Sequence, residues 1–423
     1  MSADTTRTRR TPLGANYWKL FSSSLISNLG DGIDSAALPL VAAALTRDPL
    51  LFSGVAVAGR IPWLLFALQA GALADRVDRR WMMGSVNIAR FVLMGVLGLA
   101  ILGDWATIWL LYAITFLLGT AEVLFDTSSQ AILPRVVTDR NQLERANGLL
   151  FGSEIVANQF VGPPLGGFLF AIAASLPILL DAGTFAISAG LIFALSGSYA
   201  TQRAAAGAPT TTIRADIREG LSWLWNHRLL RTLALLLGTM NGLNMMAFAI
   251  GALYALEILN LDEVGFGVLL AAGATGSVLG SMVAGRLVEK VGRGRALWLG
   301  LVVSAAVPIG QGLTSNAFVF GALAATFGFS AVVWNVITVS LRQTVIPDDM
   351  LGRVNAVYRF IGWGSMPIGA LLGGLVADVL GLRAPFFIAG GGMLLTLLPA
   401  SRVITTTALE QARSRGAHSP EAD

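Results

Sequence analysis

The chain has 423 residues, of which 55% are hydrophobic and 13% charged, a balance that no ordinary water-soluble domain of this length carries. It has no cysteine, which excludes disulfides, thiolate metal sites and cysteine nucleophiles together. Its two histidines, His227 and His418, lie in separate polar segments, so neither a metal centre nor a cofactor is expected, and the net charge of +4 sits in short loops between apolar runs, as at a membrane surface and unlike a nucleic-acid interface.

Residues 1–15 are basic and lack a small-residue cleavage site behind a short apolar core, so they read as a cytoplasmic tail. A membrane-crossing helix needs about 20 mostly apolar residues. Twelve stretches meet that length: 17–44, 50–73, 82–103, 105–131, 146–172, 174–197, 229–258, 265–288, 296–314, 317–342, 355–380 and 384–402. Gly and Pro recur inside them, as membrane bundles allow, and Gly276 with Gly280 forms a Gly-xxx-Gly pair suited to close packing. Odd-numbered loops carry Arg47, Arg383 and little else that is basic. Even-numbered loops carry Arg76, Arg79, Arg80, Arg135, Arg140, Arg145, Arg203, Arg214, Arg218, Arg228, Arg286, Lys290, Arg293, Arg295, Arg342 and Arg353. The even loops and both tails are therefore expected in the cytoplasm.

The loop after the second span, "GALADRVDRR" from Gly71 to Arg80, returns as "GRLVEKVGRG" from Gly285 to Gly294. Gly71, Leu73, Asp75, Arg76, Val77 and Arg79 align with Gly285, Leu287, Glu289, Lys290, Val291 and Arg293 at an offset of 214, with charge sign kept. Further pairs follow at slightly smaller offsets: Pro134 with Pro347, Arg145-Ala-Asn147 with Arg353-Val-Asn355, Gly166-Gly167 with Gly373-Gly374. The chain is thus expected to be an all-α membrane protein of twelve transmembrane helices in two pseudo-symmetric six-helix bundles, 16–198 and 229–402. A linker, 199–228, joins them, and 403–423 form a second cytoplasmic tail. Two parallel repeats of this kind describe a secondary transporter that binds its substrate between the halves. Within the linker, Ile213, Ile217, Leu221 and Leu224 follow helical spacing, with Trp223 and Trp225 beside them, which predicts an amphipathic helix on the membrane surface.

From about residue 15 to 402 the chain resembles a twelve-helix member of the major facilitator superfamily. "GALADRVDRR" resembles that superfamily's turn between helices 2 and 3. "GPPLGG", with Gly162, Pro163, Gly166 and Gly167, resembles the helix 5 element of drug–proton antiporters. "LFDTSSQAILPRVV" running into "LERANGL" is similar to the branch of macrolide and tetracycline efflux pumps and the enterobactin exporter. Two positions depart from the pattern: Asp78 replaces the usual Gly of the turn, and helix 4 has Phe116 and Leu117 before Gly119 where many drug–proton antiporters carry an arginine. The resemblance implies a cytoplasmic latch. Asp75 would reach the start of helix 11 near Asn355, and Arg76 or Arg79 would pair with Asp126. Gly71 and Arg80 complete the turn, and Glu289 and Arg293 form its second copy.

Charged groups inside spans are costly, about 2.5–3.5 kcal/mol each at the bilayer centre, so they face a cavity or a partner. Asp31 and Asp34 share a face of helix 1, with Arg60 on helix 2 as the expected ion-pair partner of one of them, and Glu122 and Glu154 are further candidates for proton coupling. Arg90 is a cation at similar depth, while Glu257 and Asp181 are expected near the interfaces and solvated. By the resemblance, helices 1, 4, 7 and 10 line the cavity, which nominates Asn241, Asn244, Met240, Met245, Met246, Trp334 and Asn335 as its wall.

The expected activity is secondary active, proton-coupled efflux of hydrophobic or amphipathic drugs by a monomer in the bacterial plasma membrane, driven by protons or another ion. The alternatives are a dedicated exporter of a siderophore or other metabolite, or an uptake carrier. No Gly-Lys dipeptide exists, hence no P-loop, and no nucleophile motif points to an enzyme. For the latch, Asp75→Asn removes a helix-terminus interaction of about 0.3–2 kcal/mol. Export should slow at equal membrane abundance, and a wild-type rate would reduce the turn to a topological anchor.

Overall fold

A computed structural model describes residues 13–74, 77–137, 139, 142–197, 199, 213–405, 407 and 410–411. The described residues form sixteen α-helices. The first half holds α1 (Ala15–Leu45), α2 (Pro49–Ala74), α3 (Arg79–Leu102), α4 (Ile108–Val136), α5 (Leu143–Glu154), α6 (Gly162–Ile172) and α7 (Ser175–Phe193). The linker carries α8 (Ile213–Asn226). The second half holds α9 (Arg228–Phe248), α10 (Gly251–Glu257), α11 (Glu263–Val291), α12 (Arg293–Leu313), α13 (Ala317–Val345), α14 (Asp348–Gly364), α15 (Met366–Leu380) and α16 (Ala384–Ser401).

Three pairs form single crossings, α5 with α6, α9 with α10 and α14 with α15, so twelve helices span the bilayer. Eleven crossings are apolar enough to be recognised by hydropathy alone. The twelfth, α1, is 31 residues long, and Asp31, Asp34 and its serines dilute its hydropathy.

The fifth crossing of each half is interrupted at corresponding places. A π-helical turn, Ile155–Val161, precedes Gly162-Pro163, and Ser365 breaks the helix before Met366-Pro367. Proline lacks an N–H and crowds the preceding turn, so the ladder must widen or break there. The glycines that follow allow close approach on two sides. A Cβ on Gly166 would lie 2.3 Å from the Ile33 carbonyl oxygen of α1, and one on Gly167 would lie 2.2 Å from the Glu263 carbonyl oxygen of α11. In the second half, a Cβ on Gly373 would lie 2.2 Å from the Met246 carbonyl oxygen of α9, and one on Gly374 would lie 2.0 Å from Ser53 Oγ of α2. The first glycine of each pair thus packs within its own half, and the second packs across to the other.

These contacts join the halves at the end opposite the chain's termini. One hydrophobic core there unites α1, α2, α3, α4 and α7 with Ala252 and Leu253 of α10 and Phe266 of α11. At the terminus end the cores are separate, one around Tyr17, Met83 and Ile132 and the other around Leu233, Leu297 and Tyr358. The expected linker helix is present as α8. It docks on α14, where Arg353 meets Glu219 at 2.9 Å and Leu224 is fully buried, while Trp225 remains half exposed.

The turn explains its own departure from the pattern. In the second half Gly292 takes φ 85°, a left-handed value that favours glycine. In the first half Asp78, at the equivalent place, takes φ −61° and caps α3, accepting the Arg80 N–H at 2.9 Å and the Tyr199 N–H at 3.0 Å.

Gly166→Ala should lower the melting temperature in detergent, because an overpacked helix contact costs about 1–3 kcal/mol. Gly167→Ala should instead loosen the seam between the halves. A Ser53→Cys reporter, buried in the parent, should then react faster with a thiol reagent; unchanged reactivity would show that the seam tolerates the methyl group.

Candidate functional site

A cavity of about 1240 Å³ lies between the halves. It extends from Leu20, Leu133 and Asn147 near the terminus end to Phe52, Pro163 and Phe266 near the sealed end. Its two walls differ in kind. The first half supplies every ionisable group of the wall: Asp31, Asp34, Arg60, Arg90, Glu122, Asp126 and Glu154, with Ser27, Asn158 and Gln159 among them. The second half supplies Met245, Phe248, Phe266, Phe320, Phe327 and Phe386, with Asn244, Ser277 and Gln311 as its polar groups. Helical spacing accounts for the apolar wall, since Phe320, Ala324, Phe327 and Ala331 recur along one face of α13.

All five coupling candidates, Asp31, Asp34, Arg60, Glu122 and Glu154, border this cavity. The expected partner is corrected from Arg60 to Arg90 of α3: the Arg90 guanidinium lies 3.8 Å from Asp31 Oδ1. Arg90 is 3% exposed and lies over the rings of Phe125 at 5.3 Å and Phe185 at 5.1 Å. Its cation is thus held by a carboxylate and two aromatic faces. Arg60 forms part of the cavity wall and shows no ion pair among the described residues.

A second correction concerns Asp181. It is not solvated but fully buried on α7, where the Thr184 hydroxyl lies 2.8 Å from its Oδ1. Its position near a helix end was misleading, because lateral packing against α1 excludes water there. Gly30 makes that packing possible: a Cβ on it would fall 1.7 Å from Asp181 Oδ1. Gly32, two residues on, brings α1 against the Asn158 backbone of the π turn, so a glycine on either side of Asp31 was the available signal in the sequence. Glu257 is partly exposed as expected and faces Arg47 at 3.6 Å.

These groups belong to a polar seam among α1, α3 and α7. Ser23 Oγ and Ser188 Oγ are 2.6 Å apart, and Asn87 donates to Ser188 Oγ at 2.8 Å. Ser27 Oγ, Asn87 Oδ1, Asp34 Oδ1 and Asp181 Oδ2 are buried without a hydrogen-bond partner among the described residues.

Of the wall candidates, Asn244 and Met245 line the cavity. Asn241 instead donates to the Gly362 carbonyl at 2.9 Å, Met240 and Trp334 pack against the second-half core, Met246 is buried beside Gly373, and Asn335 is exposed outside the cavity wall. Trp334 continues the α13 stripe one turn beyond Ala331, where the helix faces protein instead of the cavity. Across the seam between the halves, Trp63 of α2 and Trp363 of α14 meet edge to face at 4.5 Å.

Of the latch, Asp75 and Arg76 lie outside the described residues, and Gly71 falls in the last turn of α2. Arg79 is buried at the start of α3, and Arg80 donates to the Leu195 carbonyl at 2.7 Å, within its own half. Asp126 borders the cavity, Glu289 is exposed, and Arg293 begins α12. Asn355 accepts from Arg342 at 3.1 Å.

The transmembrane secretion effector family matches residues 9–422. The multidrug efflux pump Tap of Mycolicibacterium fortuitum is 28% identical over 416 residues, covering 92% of this chain and 95% of that protein. Macrolide efflux protein A of Streptococcus pyogenes is 22% identical, covering 89% and 94%. Among solved structures, a bacterial homologue of the iron transporter ferroportin in the inward-facing state aligns with TM-score 0.69 at 17% identity, covering 96% of this chain and all of that one. The nucleoside transporter NupG aligns at 0.67 and 12% identity, covering 94% and 99%. These structural likenesses show a shared fold.

Arg90→Gln should destabilise the protein by about 2–3 kcal/mol, less than the loss of a fully buried pair, because the Asp31 side chain is 37% exposed. Adding Asp31→Asn should recover part of that loss in a melting experiment. Strictly additive losses would show that the two groups do not interact.

Proposed function

The chain belongs to the transmembrane secretion effector family of the major facilitator superfamily, and from that premise we propose that it exports amphipathic organic cations in exchange for protons. It is a multi-pass membrane transporter of the efflux type. The observation that carries the finer reading is the asymmetry of the cavity. Five carboxyl groups stand against two guanidiniums on one wall, and one of those, Arg90, is already paired. The opposite wall is aromatic and aliphatic with a few amides. A molecule with a positive head and a bulky apolar body satisfies both walls at once. Met245 and the phenylalanines adapt to varied shapes more readily than a hydrogen-bonded pocket does.

The halves alternate by rocking about the bound molecule. In this structure they meet at the end opposite the termini, so with both termini in the cytoplasm of a bacterial cell the cavity faces inward, ready to load. Asp34 is the coupling candidate, because it is 8% exposed, borders the cavity and forms no ion pair among the described residues. Its proton and the substrate's positive charge compete for one carboxylate.

Inverted membrane vesicles containing the protein should accumulate tetraphenylphosphonium when their interior is acidified. Accumulation should collapse with a protonophore and fall to background in Asp34→Asn, while the purified variant still binds the probe. Equal accumulation without a gradient would sink proton coupling. Equal transport of an anionic amphipath such as anilinonaphthalene sulfonate would sink the charge assignment.

A further inference from the structure

We propose that the π turn between α5 and α6 builds a hydrogen-bonding subsite of the cavity from Glu154, Asn158 and Gln159, and that this subsite selects protonated amines over quaternary cations. The proposal rests on the export of amphipathic cations set out above and narrows its substrate class. Asn147, Leu150, Phe151 and Glu154 border the cavity from one face of α5. Continued as an α-helix, that face would pass through Asn158 and Val161, and Gln159 would stand about 140° around the axis from Glu154. The structure departs from this register. Asn158, Gln159 and Pro163 border the cavity, while Val161 is 44% exposed outside it. The π turn, Ile155–Val161, accounts for the change. It fits one more residue into the turn, so the side chain five positions after Glu154 returns to the same face.

The local sequence explains the turn and what it leaves open. The Gly162 N–H bonds to the Ala157 carbonyl, five residues back. Pro163 and Pro164 have no N–H, so the Gln159 carbonyl finds a helical donor neither four nor five residues on. Gly32 of α1 holds the turn from its other side, since a Cβ there would fall 2.5 Å from the Asn158 carbonyl oxygen. The side chains of Glu154, Asn158 and Gln159 form no hydrogen bond or ion pair among the described residues, and Glu154 and Gln159 are exposed. The turn thus gathers a carboxylate, two amides and a carbonyl without a helical donor. The second half has nothing comparable. At the offset set by Gly166 and Gly373, Ile361 and Met366 stand where the first half has Glu154 and Gln159, and Met366 packs against Met245 and its buried neighbours.

A protonated amine carries an N–H beside its charge, whereas a quaternary ammonium or a phosphonium carries none. The acids of the wall attract both by charge. Only the amine donates to the amide oxygens of Asn158 and Gln159 or to the Glu154 carboxylate, and one hydrogen bond from a charged donor raises affinity about tenfold. A quaternary cation covers the same acceptors without bonding to them, which counts against it.

Imipramine and its N-methyl quaternary salt test the subsite, because at neutral pH they share an apolar body and one positive charge and differ in the N–H. Equilibrium binding to the purified wild-type protein should favour imipramine about tenfold. Gln159→Leu should bring the ratio of the two affinities toward one, and Gln159→Glu, which keeps an acceptor, should retain it. Pro163→Ala combined with Pro164→Ala supplies the two missing N–H groups, lets the turn close in α-helical register, and should narrow the ratio with Gln159 in place. An unchanged ratio in that variant overturns the part played by the turn; should it fail to accumulate, the two Gln159 variants decide. Equal binding of the two cations by wild type, or an undiminished preference in Gln159→Leu, overturns the subsite and leaves cation export standing. Failure of wild type to bind either cation sinks the cationic reading and the subsite together.

Discussion

The close approach of the fifth crossing of each half to two neighbours at once is the constraint on which the rest of the structure depends. Gly166 and Gly373 bring it against the first crossing of its own half, and Gly167 and Gly374 bring it against the second crossing of the other. Helices in a bilayer gain little from burying apolar surface against each other, so contact area and fit between backbones carry the association. Glycine pairs provide that fit on two faces of one helix. The halves are consequently sealed at one end by a shared core and remain separate at the other, and the cavity is the space between.

The same logic operates around Asp31. Gly30 and Gly32 draw α7 and the π turn against α1, which buries the Asp181 carboxyl beside Gly30 and leaves Asp31 facing Arg90. Three acids gathered around one cation are costly in a low-dielectric interior, and a charge pair alone does not offset them. Such an arrangement holds when hydrogen bonds, aromatic faces and protonation share the charge, which ties this region to chemistry more than to stability.

The repeat has diverged in function while keeping its geometry. Both fifth crossings are interrupted before a proline, and both turns after the second crossing keep their acidic and basic spacing. Yet the ionisable wall of the cavity belongs to one half and the aromatic wall to the other. Asp78 and Gly292 show the divergence on a small scale: one backbone position is reached by a capping carboxylate in the first half and by a left-handed glycine in the second.

Crossing number, repeat and the membership of Asp31, Asp34, Glu122 and Glu154 in the cavity were legible in the sequence, because apolar length, recurring turn chemistry and the cost of charge in lipid are local quantities. Which wall residues on α9 and α13 face the cavity was only half legible: spacing nominated Asn244 and Met245 together with Asn241 and Trp334, and neighbour packing separated them. The partner of Asp31 and the burial of Asp181 were decided by tertiary structure alone. Sequence position sets a residue's depth along the membrane normal, but the helix packed beside it sets its exposure and its charge partner. Arg60 and Arg90 were equally plausible by depth, and the glycine-lined contact of α1 with α7, together with α3 beside it, selected Arg90.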